Sequence, residues 1–137
     1  MLHRNEKVEL IKSVPLFANC SKRELEQIAQ LADEIDLSDG KELIRQGSRG
    51  REFFVLLEGD VDVTKDGRSI NKLGSGDFFG EIALVSDTPR TATVTTTSPV
   101  RALVITDRAF RRLLEDSPEI QLKVLAELAK RLAPAAI

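Results

Sequence analysis

Hydrophobic positions along this chain follow a helical rhythm at both ends and a strand-like rhythm in the middle. Residues 6 to 17 read as a short helix ending near Val14-Pro15. A second helix has a clear start. Ser21 and Glu24 form an S-x-x-E capping box, and Cys20 with Leu25 suits the hydrophobic staple. Leu25, Ile28, Ala29, Leu31, Ala32 and Ile35 keep helical spacing after it.

From Ser38-Asp39-Gly40 the texture changes. Short runs follow one another: KELIRQ, EFFVLL, DVDVTK, SINKL, ATVTTT and VRALVI. Gly47, Gly50, Gly59, Gly67, Gly74 and Gly76 fall between them. Short strands parted by glycine turns predict a compact antiparallel roll, over about residues 38–105. Val61 and Val63 alternate with Asp60, Asp62 and Thr64, as in a strand with one wet face, and Asp66-Gly67 is a hairpin signal.

After Ile105 the helical period returns. Thr106 or Asp107 caps a helix carrying Phe110, Leu113 and Leu114. Ser117-Pro118-Glu119 starts another: N-cap, Pro in the first turn, then an acid. Its apolar stripe is Ile120, Val124, Leu125, Leu128 and Leu132, and Pro134 ends it. The expected fold class is therefore mainly β, an α+β arrangement of helices, antiparallel roll and two further helices over about residues 107–133. No composition break divides residues 1–137, so one domain is expected.

Composition narrows the function. Lys plus Arg number 20 and Asp plus Glu 22, a net charge of −2 that argues against direct nucleic-acid binding. No run approaches the ~18 apolar residues of a membrane span, and the start lacks a signal-peptide core. Cys20 is the one cysteine, so no intramolecular disulfide or thiolate cluster is expected, and a reduced, cytoplasmic setting fits. Cys20 reads as a staple residue; no His or second Cys is placed to activate its thiol. His3 is the one histidine, so a metal-dependent enzyme of similar roll shape is not expected, nor is a Ser-His or Cys-His nucleophile. No catalytic or metal-binding role is assigned to any residue.

The candidate chemistry lies in FFGEIALVSDTPRTATV, residues 78–94. Phe78 and Phe79 can anchor the segment, and Gly80 allows a positive φ or close backbone approach. Glu81 to Leu84 can make one helical turn whose free amides favour an anion. Arg90 suits a phosphate oxygen pair, and ionised Glu81 suits hydroxyl donors. On residue chemistry alone, an equal alternative is a Glu81–Arg90 ion pair that braces a turn.

This stretch resembles the phosphate-binding cassette of cyclic nucleotide-binding domains, the family of the catabolite activator protein, the kinase regulatory subunits and the cyclic nucleotide-gated channels. F-G-E-x-A-L followed by P-R-T-A-T-V carries the likeness. The preceding helix, the Gly47 turn, E-G-D-V at 58 to 61, the helix around Phe110 and the Ser117-Pro118 start fall in the family's order. It covers roughly residues 10–133.

The resemblance implies a β-roll with a short cassette helix and a ligand of cyclic AMP, with cyclic GMP also admitted. Within Gly80, Glu81, Ile82, Ala83, Arg90, Thr91 and Ala92, it gives Glu81 the ribose 2′-hydroxyl and Arg90 the cyclic phosphate. The amides of Ala83 and Thr91 complete the cradle. Val63, Leu73 and Ala83 fall at the purine, and Leu128 and Arg131 fall at the lid. Thr91 permits cyclic GMP without demanding it. The final helices would move to signal to an effector domain or protein partner. The alternative is the sensory part of a catabolite-activator-type DNA-binding regulator, whose helix-turn-helix is not in this sequence. An empty pocket would leave the Arg90 charge unpaired, so losing it is expected to cost no stability.

Overall fold

A computed structural model of the chain describes residues 4–80 and 88–132. The cassette turn expected at Glu81 to Leu84 lies outside these residues. Helix α1 (Arg4–Ser13) leads through a 3₁₀ turn (Pro15–Phe17) to α2 (Lys22–Leu31). Eight strands follow: β1 (Asp33–Leu37), β2 (Glu42–Ile44), β3 (Glu52–Glu58), β4 (Val61–Lys65), β5 (Arg68–Leu73), β6 (Phe78–Phe79), β7 (Thr93–Thr96) and β8 (Val100–Thr106). Helices α3 (Asp107–Asp116) and α4 (Pro118–Leu132) close the described chain.

Local chemistry sets the helix starts. Ser21 and Glu24 make the expected box: the Ser21 hydroxyl accepts from the Glu24 amide at 3.1 Å, and the Glu24 carboxylate accepts from the Ser21 amide at 2.9 Å. These bonds hold the Glu24 carboxyl below its usual range, the Ser21 amide being the main cause. The far end of α2 is tied differently. Lys7 Nζ donates to the Ala29 and Ala32 carbonyls, each at 2.7 Å. Thr106 caps α3 by accepting from the Ala109 amide, and the buried Ser117 hydroxyl accepts from the Ile120 amide of α4.

The strands form two antiparallel sheets, ordered β1-β8-β3-β6 and β2-β7-β4-β5. Strand β3 explains the layering. EFFVLLE is apolar throughout its middle because both its faces are buried. Phe53, Val55 and Leu57 face a core shared with the helices, with Phe17, Ile28, Phe110 and Ile120. Phe54 and Leu56 face a second core between the sheets, with Ile44, Val61, Phe79 and Val94. Asp66 (φ +53) and Gly67 (φ +80) turn β4 into β5, which is the left-handed pair that the Asp-Gly hairpin requires.

One element differs from the sequence reading. Ile35 sits in strand β1, not in α2. It pairs with Ala102 of β8 and packs on the inter-sheet core. Glu34 to Leu37 also alternates polar and apolar, and pairing along β8 satisfies the backbone that another helical turn would have used.

Candidate functional site

Arg90 is the centre of the site, and its main chain is fixed first. Its amide donates to the Ser48 carbonyl, and its carbonyl accepts from the Gly47 amide, both at 2.8 Å. The side chain then runs inward and is only 4% exposed. Nη2 donates to the Glu52 carbonyl at 2.7 Å, and Nη1 donates to the Gly80 carbonyl at 3.0 Å. The half-exposed Glu52 carboxylate stands 3.8 Å from Nη2. These acceptors offset the cost of taking a guanidinium out of water. The expectation of an unpaired charge is therefore wrong: the arginine is braced by backbone oxygens that no side-chain pattern announces.

Glycine makes this packing possible. A Cβ on Gly50 would stand 2.7 Å from Arg90 Nε and 2.9 Å from Nη2. Gly80 has φ +96, and a Cβ there would meet the Glu52 carbonyl at 2.7 Å and Arg90 Nη1 at 3.1 Å. Both freedoms expected of Gly80 are in use. Beside the guanidinium opens a cavity of about 290 Å³, whose walls include Leu43, Ile44, Arg45, Ser48 and Gly50.

The segment before Gly80 is pinned from both faces. Phe78 belongs to the helix-side core, its ring centroid 5.5 Å from Phe53. Phe79 stacks on Phe54 at 5.1 Å in the inter-sheet core. Phe53 in turn stacks on Phe110 of α3 at 4.3 Å, so the root of the segment touches the C-terminal helices through one ring.

Of the other expected site residues, Thr91 is exposed and Ala92 half-buried just before β7. Val63 and Leu73 lie on paired strands and pack against the inter-sheet core. Glu81, Ile82 and Ala83 lie outside the described residues, as do the side chains of Leu128 and Arg131 in α4. Sequence reasoning missed Gly50 and Glu52. Their only signal was their place in a glycine-rich turn ahead of a strongly apolar strand. Burial pushes the Cys20 thiol up to about 11, with Glu24 adding to the effect, so it stays protonated beside the helix core as a staple residue would. Among the described residues no group of three or more His, Cys, Asp or Glu is arranged to hold a metal ion. No described helix is long and apolar enough to cross a membrane.

Comparison with known proteins adds a family. The model for the cyclic nucleotide-binding domain matches residues 34–117. A cAMP-dependent protein kinase regulatory subunit of Mycosarcoma maydis is 40% identical over 115 residues, which is 77% of this chain and 22% of that protein. A cGMP-dependent protein kinase of Drosophila melanogaster, isozyme 2 forms cD5/T2, is 35% identical over 129 residues, which is 88% of this chain and 14% of that protein. The chain thus spans less than a quarter of the length of either relative. Among solved structures, the regulatory domain of Toxoplasma gondii PKA with cAMP superposes with a TM-score of 0.81 at 27% identity, covering 93% of this chain and 50% of that one.

Proposed function

The chain belongs to the cyclic nucleotide-binding domain family, and on that premise we propose that it is a non-catalytic sensor that binds cyclic AMP and also admits cyclic GMP. The observation that carries this reading is the Arg90 cradle: a buried guanidinium, held by two backbone carbonyls and flanked by two glycines, beside a cavity. A fixed guanidinium matches a phosphate oxygen pair geometrically, and its low-dielectric surroundings strengthen that pairing. In this reading Glu81 accepts from the ribose 2′-hydroxyl, and the amides of Ala83 and Thr91 complete the phosphate contacts. The purine runs toward Val63 and Leu73, with Leu128 and Arg131 closing over it. Thr91 adds one hydroxyl for the guanine 2-amino group. A neutral bond of that kind is worth about 0.5–1.5 kcal/mol, which is too little for strict selectivity.

The output is movement of α3 and α4, felt by an effector domain or protein partner in a cytoplasmic setting. Phe110, stacked through Phe53 on Phe78, supports this route. The two relatives named above are a kinase regulatory subunit and a kinase, which favours a protein effector over DNA.

Calorimetry of the purified chain with cyclic AMP, cyclic GMP and 2′-deoxy cyclic AMP tests the reading. The two ribonucleotides are expected to bind, and the deoxy analogue to bind more weakly. No binding of either ribonucleotide overturns the function, and equal binding of the deoxy analogue removes Glu81 from the ribose.

A further inference from the structure

Residues 51–53 touch both ends of the expected signal. Successive carbonyls of a strand point to opposite sides, and this segment uses both. On one side, the Glu52 carbonyl takes the bond from Arg90 Nη2. On the other, the Arg51 carbonyl accepts from the Asp107 amide at 2.8 Å, at the first residue of α3. The same two residues are joined again by an ion pair, Arg51 Nη1 to Asp107 Oδ2 at 3.3 Å. Asp107 Oδ1 meanwhile accepts from the Arg108 amide at 2.8 Å, so one carboxylate holds both the helix start and the strand. Phe53, next in line, stacks on Phe110 one turn into α3. In the β3–β8 ladder Glu52 faces Thr106, so the strand cannot slide without dragging the helix cap.

We infer that this tripeptide is the joint through which occupancy at Arg90 reaches helix α3, and that Arg51 is the positioning residue that stiffens it through Asp107. The inference rests on the proposed role of Arg90. An anion that pulls on the guanidinium also pulls on the Glu52 carbonyl. The ion pair and the Arg51 carbonyl pass that displacement to the first turn of α3, while the Phe53 ring passes it to the second. The pair is partly solvated, with side chains 53% and 26% exposed, so its share of the coupling is modest.

The test is amide hydrogen exchange at Phe110 and Leu113, with and without saturating cyclic AMP, in the full chain and in Arg51→Gln, Asp107→Asn, the double variant and Arg51→Lys. The expected readout is the ratio of bound to free exchange rates. It should move toward one by about 1.5- to fivefold in each neutral single variant, by no more in the double, and stay near the parent in Arg51→Lys. A merely structural role would shift free and bound rates together and leave the ratio alone. An unchanged ratio in Arg51→Gln, or additive losses in the double variant, overturns the joint while the sensor reading stands. A parent that binds no cyclic AMP overturns the sensor reading and the joint with it.

Discussion

Substituting Gly50 by Ala adds one methyl where the guanidinium of Arg90 already sits. The new carbon would lie 2.7 Å from Nε, against the 3.4 Å of ordinary contact, so something must move by about 0.7 Å. In an exposed arginine such a shift would cost nothing. Here Nη2 and Nη1 are tied to the Glu52 and Gly80 carbonyls, so the guanidinium cannot shift without lengthening one of these bonds. Displacement by about 0.7 Å along the 2.7 Å bond to Glu52 would lengthen it to about 3.4 Å, beyond the usual N–H···O range, and strip it of most of its strength. Losing one bond from a charged donor costs about 1.5–3 kcal/mol. At roughly 3–5 °C per kcal/mol for a chain of this size, Tm falls by roughly 5–15 °C. Re-seating the guanidinium on a ligand costs a similar amount, so Kd for cyclic AMP rises about 10- to 150-fold. Calorimetry and thermal melts read both quantities. Gly40→Ala is the control: its φ is +82 with nothing near the added carbon, so it should lower Tm by strain and leave Kd alone. A Gly50→Ala protein with parental Tm, and Kd within twofold, would refute the cradle.

Arg90→Ala should weaken cyclic AMP by about 2–5 kcal/mol, or roughly 30-fold to several thousand-fold in calorimetry. It should also lower the stability of the ligand-free protein by about 1–3 kcal/mol in urea titration, because the Glu52 and Gly80 carbonyls lose their donor; an unchanged midpoint would count against the brace. Ser21→Ala should cost about 0.5–2 kcal/mol, the usual worth of an N-cap. Glu24, whose carboxyl is held low, stabilises the fold above its unfolded pKa, and that contribution is lost as pH falls through the lower folded value. Stability measured from pH 6 down to about 3 should therefore decline less steeply in Glu24→Gln than in the parent.

Features written in consecutive residues were legible in advance. The Ser21–Glu24 box, the Asp66-Gly67 turn, the Thr106 cap and the Ser117-Pro118 start each depend on neighbours within a few positions. The family was legible because the residue types and spacing of 78–94 are specific. Ile35 misled because a helical and an alternating pattern overlap at the end of α2, and β8, which decides between them, lies some 65 residues away at Asp36–Arg101. Arg90 stood out by its residue type and position, but its surroundings did not. Gly50 and Glu52 precede it by about 40 residues, and Glu52 contributes its backbone carbonyl, an atom every residue has. The Phe53–Phe110 stack joins positions 57 apart for the same reason: tertiary packing chose the partner.

Phe78 and Phe79 lock one shoulder of the cassette into two separate cores, while β7 and the backbone of Arg90 lock the other. For protein engineering this frame is a socket. Both ends of the intervening stretch, at Phe79 and at Arg90, are held by contacts that lie outside it. If the proposed sensor reading holds, a new ligand preference is to be sought between Gly80 and Pro89, with Arg90 and its two glycines kept in place.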